Sequence, residues 1–161
     1  MDTQTENEYR QQRLDNMAAL KALGYTPFGH AFEISDNLGA IRADFEEERP
    51  VRAAGRLMTV RDMGKSIFAD IRDGSDRFQV FIAKKAIGDA AFDAFKLLDM
   101  GDHIGVEGAL FTTRTGESTI KVSTWSLLSK ALLPLPDKWA GLQDTEARYR
   151  QRYLDLISNI P

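Results

Sequence analysis

From residue 50 onward, hydrophobic positions mostly alternate with polar ones, whereas the flanking segments repeat at helical spacing. In residues 66–73, Ile67, Ala69 and Ile71 take every second position and should share a buried face, leaving Phe68 with Asp70 and Arg72 on the other. Phe78, Val80 and Ile82 repeat the pattern over residues 77–83 and put Gln79 and Phe81 outside. The turn Asp73-Gly74-Ser75-Asp76 joins the two strands. A first strand over residues 51–60 alternates poorly, and Ala54-Gly55 predicts a bulge or a strong coil. Strands four and five are read at 103–112 and 117–128, around the turn Thr113-Arg114-Thr115-Gly116. Ile104, Val106, Gly108 and Leu110 should line one side of strand four. In strand five Ile120 and Val122 should be buried, with Glu117, Thr119 and Lys121 facing out.

Helices bracket and interrupt these strands. Residues 6–23 place Leu14, Met17, Ala18 and Leu23 near helical spacing, with Gly24 as the stop. Ser35 is the expected cap of a short second helix carrying Leu38, Ile41 and Phe45. Residues 84–98 repeat Ile87, Ala91, Phe92, Phe95 and Leu98 as one helix between strands three and four. The order β-β-β-α-β-β with a coiled first strand fits a five-stranded Greek-key OB barrel, and another kind of split sheet satisfies it too. The organisation predicted is a helical leader over 1–48, the barrel over 49–130, and a linker and helix over 131–161. The last helix carries Tyr149, Tyr153, Leu154 and Ile157 in a stripe it cannot bury alone, and the sequence stops at Pro161 as if cut.

Composition narrows the function. The chain has 161 residues and no cysteine, which removes disulfides, thiolate metal sites and cysteine nucleophiles and favours a reducing compartment, the cytoplasm. No apolar run approaches a membrane span. A net charge of −3 argues against indiscriminate coating of nucleic acid. Residues 1–48 hold ten acids and four bases, whereas residues 49–77 hold seven bases and four acids. The positive excess therefore lies on the first strands. His30 and His103 are the only histidines, neither in a ligand-spaced cluster, and no glycine-rich phosphate loop is present, so neither a catalytic nor a metal site is expected.

The outward residues suggest a base reader instead. Phe68 offers a stacking platform on the face where OB barrels bind single strands. Arg61, near the first loop, can donate to base carbonyls or phosphate. The Gln79 amide can donate and accept, and the Glu117 carboxylate can accept from a base N–H. Uracil, with one N–H between two carbonyls, matches this set. Lys65, Arg77, Phe81 and Arg114 are secondary candidates, along with Met58. The plain alternatives are an exposed ring, a surface amide, and an Arg61 that pairs with Asp62 or Asp70.

Three stretches, "AGRLMTVRDMGKSIFADIRD", "RFQVFIA" and "TRTGESTIKV", resemble the barrel shared by the class II aspartate, asparagine and lysine tRNA synthetases. "KALLPLPDKWAGLQDTEARYRQRYLDLISN" is similar to the lysine enzymes in particular, although Leu133 stands where that family commonly has a basic residue. The resemblance, to the N-terminal anticodon-binding domain of lysyl-tRNA synthetases, covers nearly the whole chain and makes an aspartate or asparagine enzyme the poorer match. It implies that Phe68, Arg61, Gln79 and Glu117 stack on and read uracil in the anticodon loop of tRNA-Lys. It also implies a dimeric parent that uses ATP and magnesium. The family's Phe-Arg-x-Glu and Gly-x-Asp-Arg motifs are missing, so this chain should be unable to form lysyl-adenylate. A general single-strand-binding OB protein and a protein-interaction OB module are the rival readings.

Overall fold

A computed structural model describes residues 3–136 and 143–159. Five strands, β1 (Pro50–Asp62), β2 (Ser66–Arg72), β3 (Arg77–Ala83), β4 (His103–Thr112) and β5 (Ser118–Ser129), close into a ring in the order β1-β2-β3-β5-β4. All neighbours are antiparallel except β3 and β5, which run parallel through Gln79–Thr119, Val80–Ile120 and Phe81–Lys121. This is the five-stranded OB barrel. Its interior takes the alternating residues: Ile67, Ala69 and Ile71 from β2, Phe78, Val80 and Ile82 from β3, and Ile120 and Val122 from β5 are all buried. Strand three and strand four have the predicted bounds, whereas β1 runs longer at both ends and β5 starts one residue late.

The coil of β1 has a different cause from the one expected. Its register slips at Met58, between Leu57 and Thr59, rather than at Gly55. Gly55 instead marks the point where β1 passes from β4 to β2, since Arg56 pairs with both His103 and Arg72. A Cβ on Gly55 would lie 2.9 Å from the Arg72 carbonyl oxygen, so only glycine fits this close approach.

The helices depart further from the pattern. Helix α1 (Thr3–Ala22) was expected to bury Leu14, Met17, Ala18 and Leu23, yet its buried residues are Arg13 and Leu20, and Leu23 is exposed. Arg13 goes inside because its Nη1 donates to the carbonyls of Met100 and Ala131 at 3.0 and 2.9 Å. Helix α2 (Leu38–Ala43) is capped by Asn37, whose side chain accepts from Ala40 N, rather than by Ser35. Ser35 bonds the β1 backbone at Arg52 instead. The single helix expected between β3 and β4 is two, α3 (Lys84–Ile87) and α4 (Asp89–Phe95), separated by Gly88 at φ 89°. Phe92, Phe95 and Leu98 still close the barrel end as their spacing required. The last helix is also broken, into α5 (Thr145–Arg150) and α6 (Arg152–Ser158), and Tyr149 and Tyr153 remain exposed. Most of the expected linker, residues 137–142, lies outside the described residues. Among the described residues no helix is long and apolar enough to cross a membrane.

Candidate nucleic-acid interface

The outer face of β2 and β3 carries the residues that broke the alternation. Phe68 and Phe81 are cross-strand partners with ring centroids 4.9 Å apart, and the Phe111 ring meets Phe81 edge-on at 5.9 Å. These rings, with Met63 from the β1–β2 turn and Arg114 from the β4–β5 turn, line an open cleft of about 440 Å³. Phe68 is half-buried and points outward, as its parity required, and the Arg61 guanidinium lies 5.8 Å from its ring centroid. Phe111 follows Leu110 in the β4 alternation, so the same parity argument that singled out Phe68 also finds it.

A second, more polar cleft of about 620 Å³ adjoins the first and shares Arg61, Gln79 and Thr115 with it. Thr59, Val60, Asp70, Arg77, Met100 and Glu117 complete its walls. The four primary candidates therefore come together around two joined depressions. Of the secondary set, Arg77, Phe81 and Arg114 line them. Lys65 is exposed at the hairpin tip and lines neither, and Met58 faces a different cleft beside α6.

Local bonding decides what each polar group can offer. The Arg61 pairings named above do not form. Asp62 accepts from Gly64 N and faces Lys96, which with the Gly64 bond first keeps its pKa below the ordinary carboxylate value. Asp70 accepts from Thr59 Oγ1 at 2.8 Å and faces Arg77 at 3.8 Å. The Arg61 side chain thus has no hydrogen bond or ion pair among the described residues, only its contact with the Phe68 ring. Glu117 has its backbone amide bonded to Thr113 Oγ1, while its carboxylate stays exposed to the cleft.

Gln79 and Thr119 differ from expectation. Gln79 lies on the outer face but is only 9% exposed, and Thr119, expected to face out, is fully buried beneath it. The Thr119 hydroxyl donates 2.9 Å to Gln79 Oε1 and lies 3.2 Å from the Glu117 carbonyl oxygen. The reason is the parallel β3–β5 pairing, which sets Gln79 and Thr119 side by side and brings the Thr119 hydroxyl against the Gln79 amide. That bond takes one of the two lone pairs on the Gln79 oxygen and leaves both amide N–H donors uncommitted. Sequence alternation alone could not reveal Thr119, because its partner becomes its neighbour only when the barrel closes.

The arrangement offers stacking rings, two unengaged donors and a carboxylate acceptor on one curved face. The family described as OB-fold nucleic acid binding domain matches residues 51–128, the length of the barrel. A lysine–tRNA ligase of Dehalococcoides mccartyi is 49% identical over 156 residues, covering 92% of this chain and 31% of that protein. The lysine–tRNA ligase of Staphylococcus epidermidis is 45% identical over 95% of this chain and 33% of its own length. That of Anaeromyxobacter dehalogenans is 44% identical over 95% and 32%. The chain spans about a third of the length of the curated relatives it matches. Matched along its barrel and closely related over nearly its whole length, this chain belongs to the OB-fold nucleic-acid-binding family as an anticodon-binding domain of the lysine–tRNA ligase line.

Proposed function

We propose that the joined clefts hold the unpaired, uridine-rich anticodon loop of tRNA-Lys and check the identity of its central base. What supports this most is that the Arg61 and Glu117 side chains are left unpaired beside an outward Phe68, while Thr119 holds Gln79 by its oxygen and leaves its N–H donors uncommitted. A base that stacks on Phe68 meets the Arg61 and Gln79 donors, suited to its two carbonyls, and the Glu117 carboxylate, suited to its N–H. Cytosine presents an amino group and a bare ring nitrogen where uracil has a carbonyl and an N–H, so it mismatches two of the three groups. Each mismatched polar group in a desolvated site costs about 1–3 kcal/mol. RNA sequence is commonly read in such splayed, single-stranded loops.

The longer ligase, on this reading, is a cytoplasmic homodimer that joins lysine to tRNA with ATP and magnesium. These residues supply selection of the tRNA, and the ATP and magnesium chemistry belongs to the rest of that protein.

Titration of the chain with anticodon stem-loops tests the proposal. A central uridine should bind at least tenfold tighter than a central cytidine, and Phe68→Ala should weaken the uridine stem-loop by about 1–3 kcal/mol. Equal affinity for both bases would reduce the barrel to a general single-strand binder. Phe68→Ala binding as well as the parent would remove the stacking platform.

A further inference from the structure

Away from the rings, the sheet carries a row of basic side chains that base reading does not use. Arg77 on β3 is the cross-strand partner of Arg72 on β2, Arg72 of Arg56 on β1, and Arg56 of His103 on β4. Cross-strand partners project on the same face, so four neighbouring strands place these residues side by side over about 14 Å, at about 4.8 Å per strand. None of the four is buried, so the row lies on the outer face. Like charges set directly opposite one another destabilise a sheet, and here arginines face each other across two successive pairings, Arg77–Arg72 and Arg72–Arg56.

Among the described residues a single ion pair touches the row, Arg77 with Asp70 at 3.8 Å. Arg72 has no hydrogen bond or ion pair among the described residues, and Arg56 reaches only the Gly101 carbonyl, at 3.5 Å. Arg77 has Asp70 at 3.8 Å, an oxygen already taken by Thr59. The nearby acids are committed elsewhere. Asp73 accepts from Leu38 N, Ser75 and Asp76 N, and Asp102 holds Lys130 and Ala131 N. Asp155 of α6 is bound to Arg148, Arg152 and Asn159. Arg56, Arg72 and His103 border a cleft of about 240 Å³, walled on one side by Leu156 and Ile157. Burial first, then the neighbouring Arg56, lowers the His103 pKa, so the fixed charge of the row at neutral pH comes from the arginines.

We infer that this arginine row is a second contact for the RNA, gripping phosphates of the backbone that leads away from the bases held at Phe68. Continuity supports RNA over a protein carboxylate, because Arg77 at one end of the row also walls the polar cleft with Gln79 and Glu117. Guanidinium forks suit phosphate oxygens. The inference rests on the proposed binding of RNA at the outer face, and it adds affinity without adding base selectivity.

The test compares the chain with Arg72→Gln and Arg56→Gln across a salt series, with Arg72→Lys keeping the charge. The probes are the anticodon stem-loop and an unpaired oligonucleotide of its loop alone, with thermal melting followed by circular dichroism as the folding check. Each Gln variant should flatten the log–log salt slope on the stem-loop by about 0.7–0.9 for each phosphate it no longer neutralises. It should weaken stem-loop binding several-fold at low salt whatever the loop sequence and leave the loop oligonucleotide unchanged, while Arg72→Lys, which keeps the charge, should largely escape the loss seen with Arg72→Gln. An unchanged slope on the stem-loop overturns the inference and leaves the row to a protein's carboxylates. Equal weakening on both probes overturns it too, by tracing the effect to the base-reading face or to the fold. Failure of base reading looks different, since it shows as indifference to the central base with the salt effect intact.

Discussion

Thr119 holds the Gln79 amide oxygen with a single hydroxyl, which makes it the most informative residue outside the four proposed readers. Thr119→Val keeps the shape but strands a nearly buried amide oxygen, so the amide is free to turn over. Discrimination between uridine and cytidine stem-loops should then fall severalfold while binding through Phe68 persists, as the ratio of the two Kd values will show. His103 carries a prediction about pH. Its folded pKa is lowered, chiefly by burial and then by Arg56, so the unfolded chain binds the proton more readily. Stability should be fully present above the unfolded value of about 6.5 and decline as pH falls toward the lower folded value. His103→Gln should flatten that slope in melting temperature against pH. At this scale, parity in the sequence was enough to place Phe68, Ile67, Ala69 and Ile71 correctly. It misplaced Thr119, whose burial depends on a strand 40 residues away.

Among the elements, α2 is held by chemistry in the β2–β3 turn. Asp73 accepts from Leu38 N at 2.8 Å at the helix start and from Ser75 and Asp76 within its own turn. Burial works against its charged form, but these bonds outweigh burial and keep its pKa below the usual carboxylate value. The stabilisation is therefore present above about pH 3.9 and lost as pH falls through the lower folded pKa. Asp73→Ala leaves several backbone donors without partners and should cost about 1–2 kcal/mol in denaturant unfolding. Gly55→Ala should cost about 1–3 kcal/mol by the same measurement, because the added methyl meets the Arg72 backbone. Strand bounds were nearly legible because turn residues punctuate them. The helices were harder to read, because the breaks at Gly88 and Gln151 interrupt apolar spacings that run straight through them. Arg13 was illegible for another reason, since an arginine goes inside only where carbonyl groups from distant turns converge on it.

Across the whole molecule, α1 is joined to the barrel by a polar knot rather than an apolar stripe. Lys130 is fully buried at its side chain and pairs with Asp99 and with Asp102 at 2.7 Å, while Asn16 of α1 reaches Asp99 and Arg13 caps the adjoining carbonyls. Lys130→Met should cost about 3–5 kcal/mol by leaving Asp102 buried and uncompensated, a fall of about 10 °C in Tm. The ring itself has one short closure. Strands β3 and β5 join through three residue pairs, against ten for β4 and β5, and those pairs contain Gln79, Phe81 and Thr119. On the proposed function the selector is therefore written across the zip of the barrel, and a molecule whose zip is undone has no selector to offer. Amide protons at Val80 and Ile120 should exchange ahead of those between β4 and β5. Saturating RNA should slow them, since a ligand at a hundredfold excess over its Kd adds about 2.7 kcal/mol to whatever state it selects. If the proposed binding holds, cognate RNA is the final clasp of the fold that recognises it.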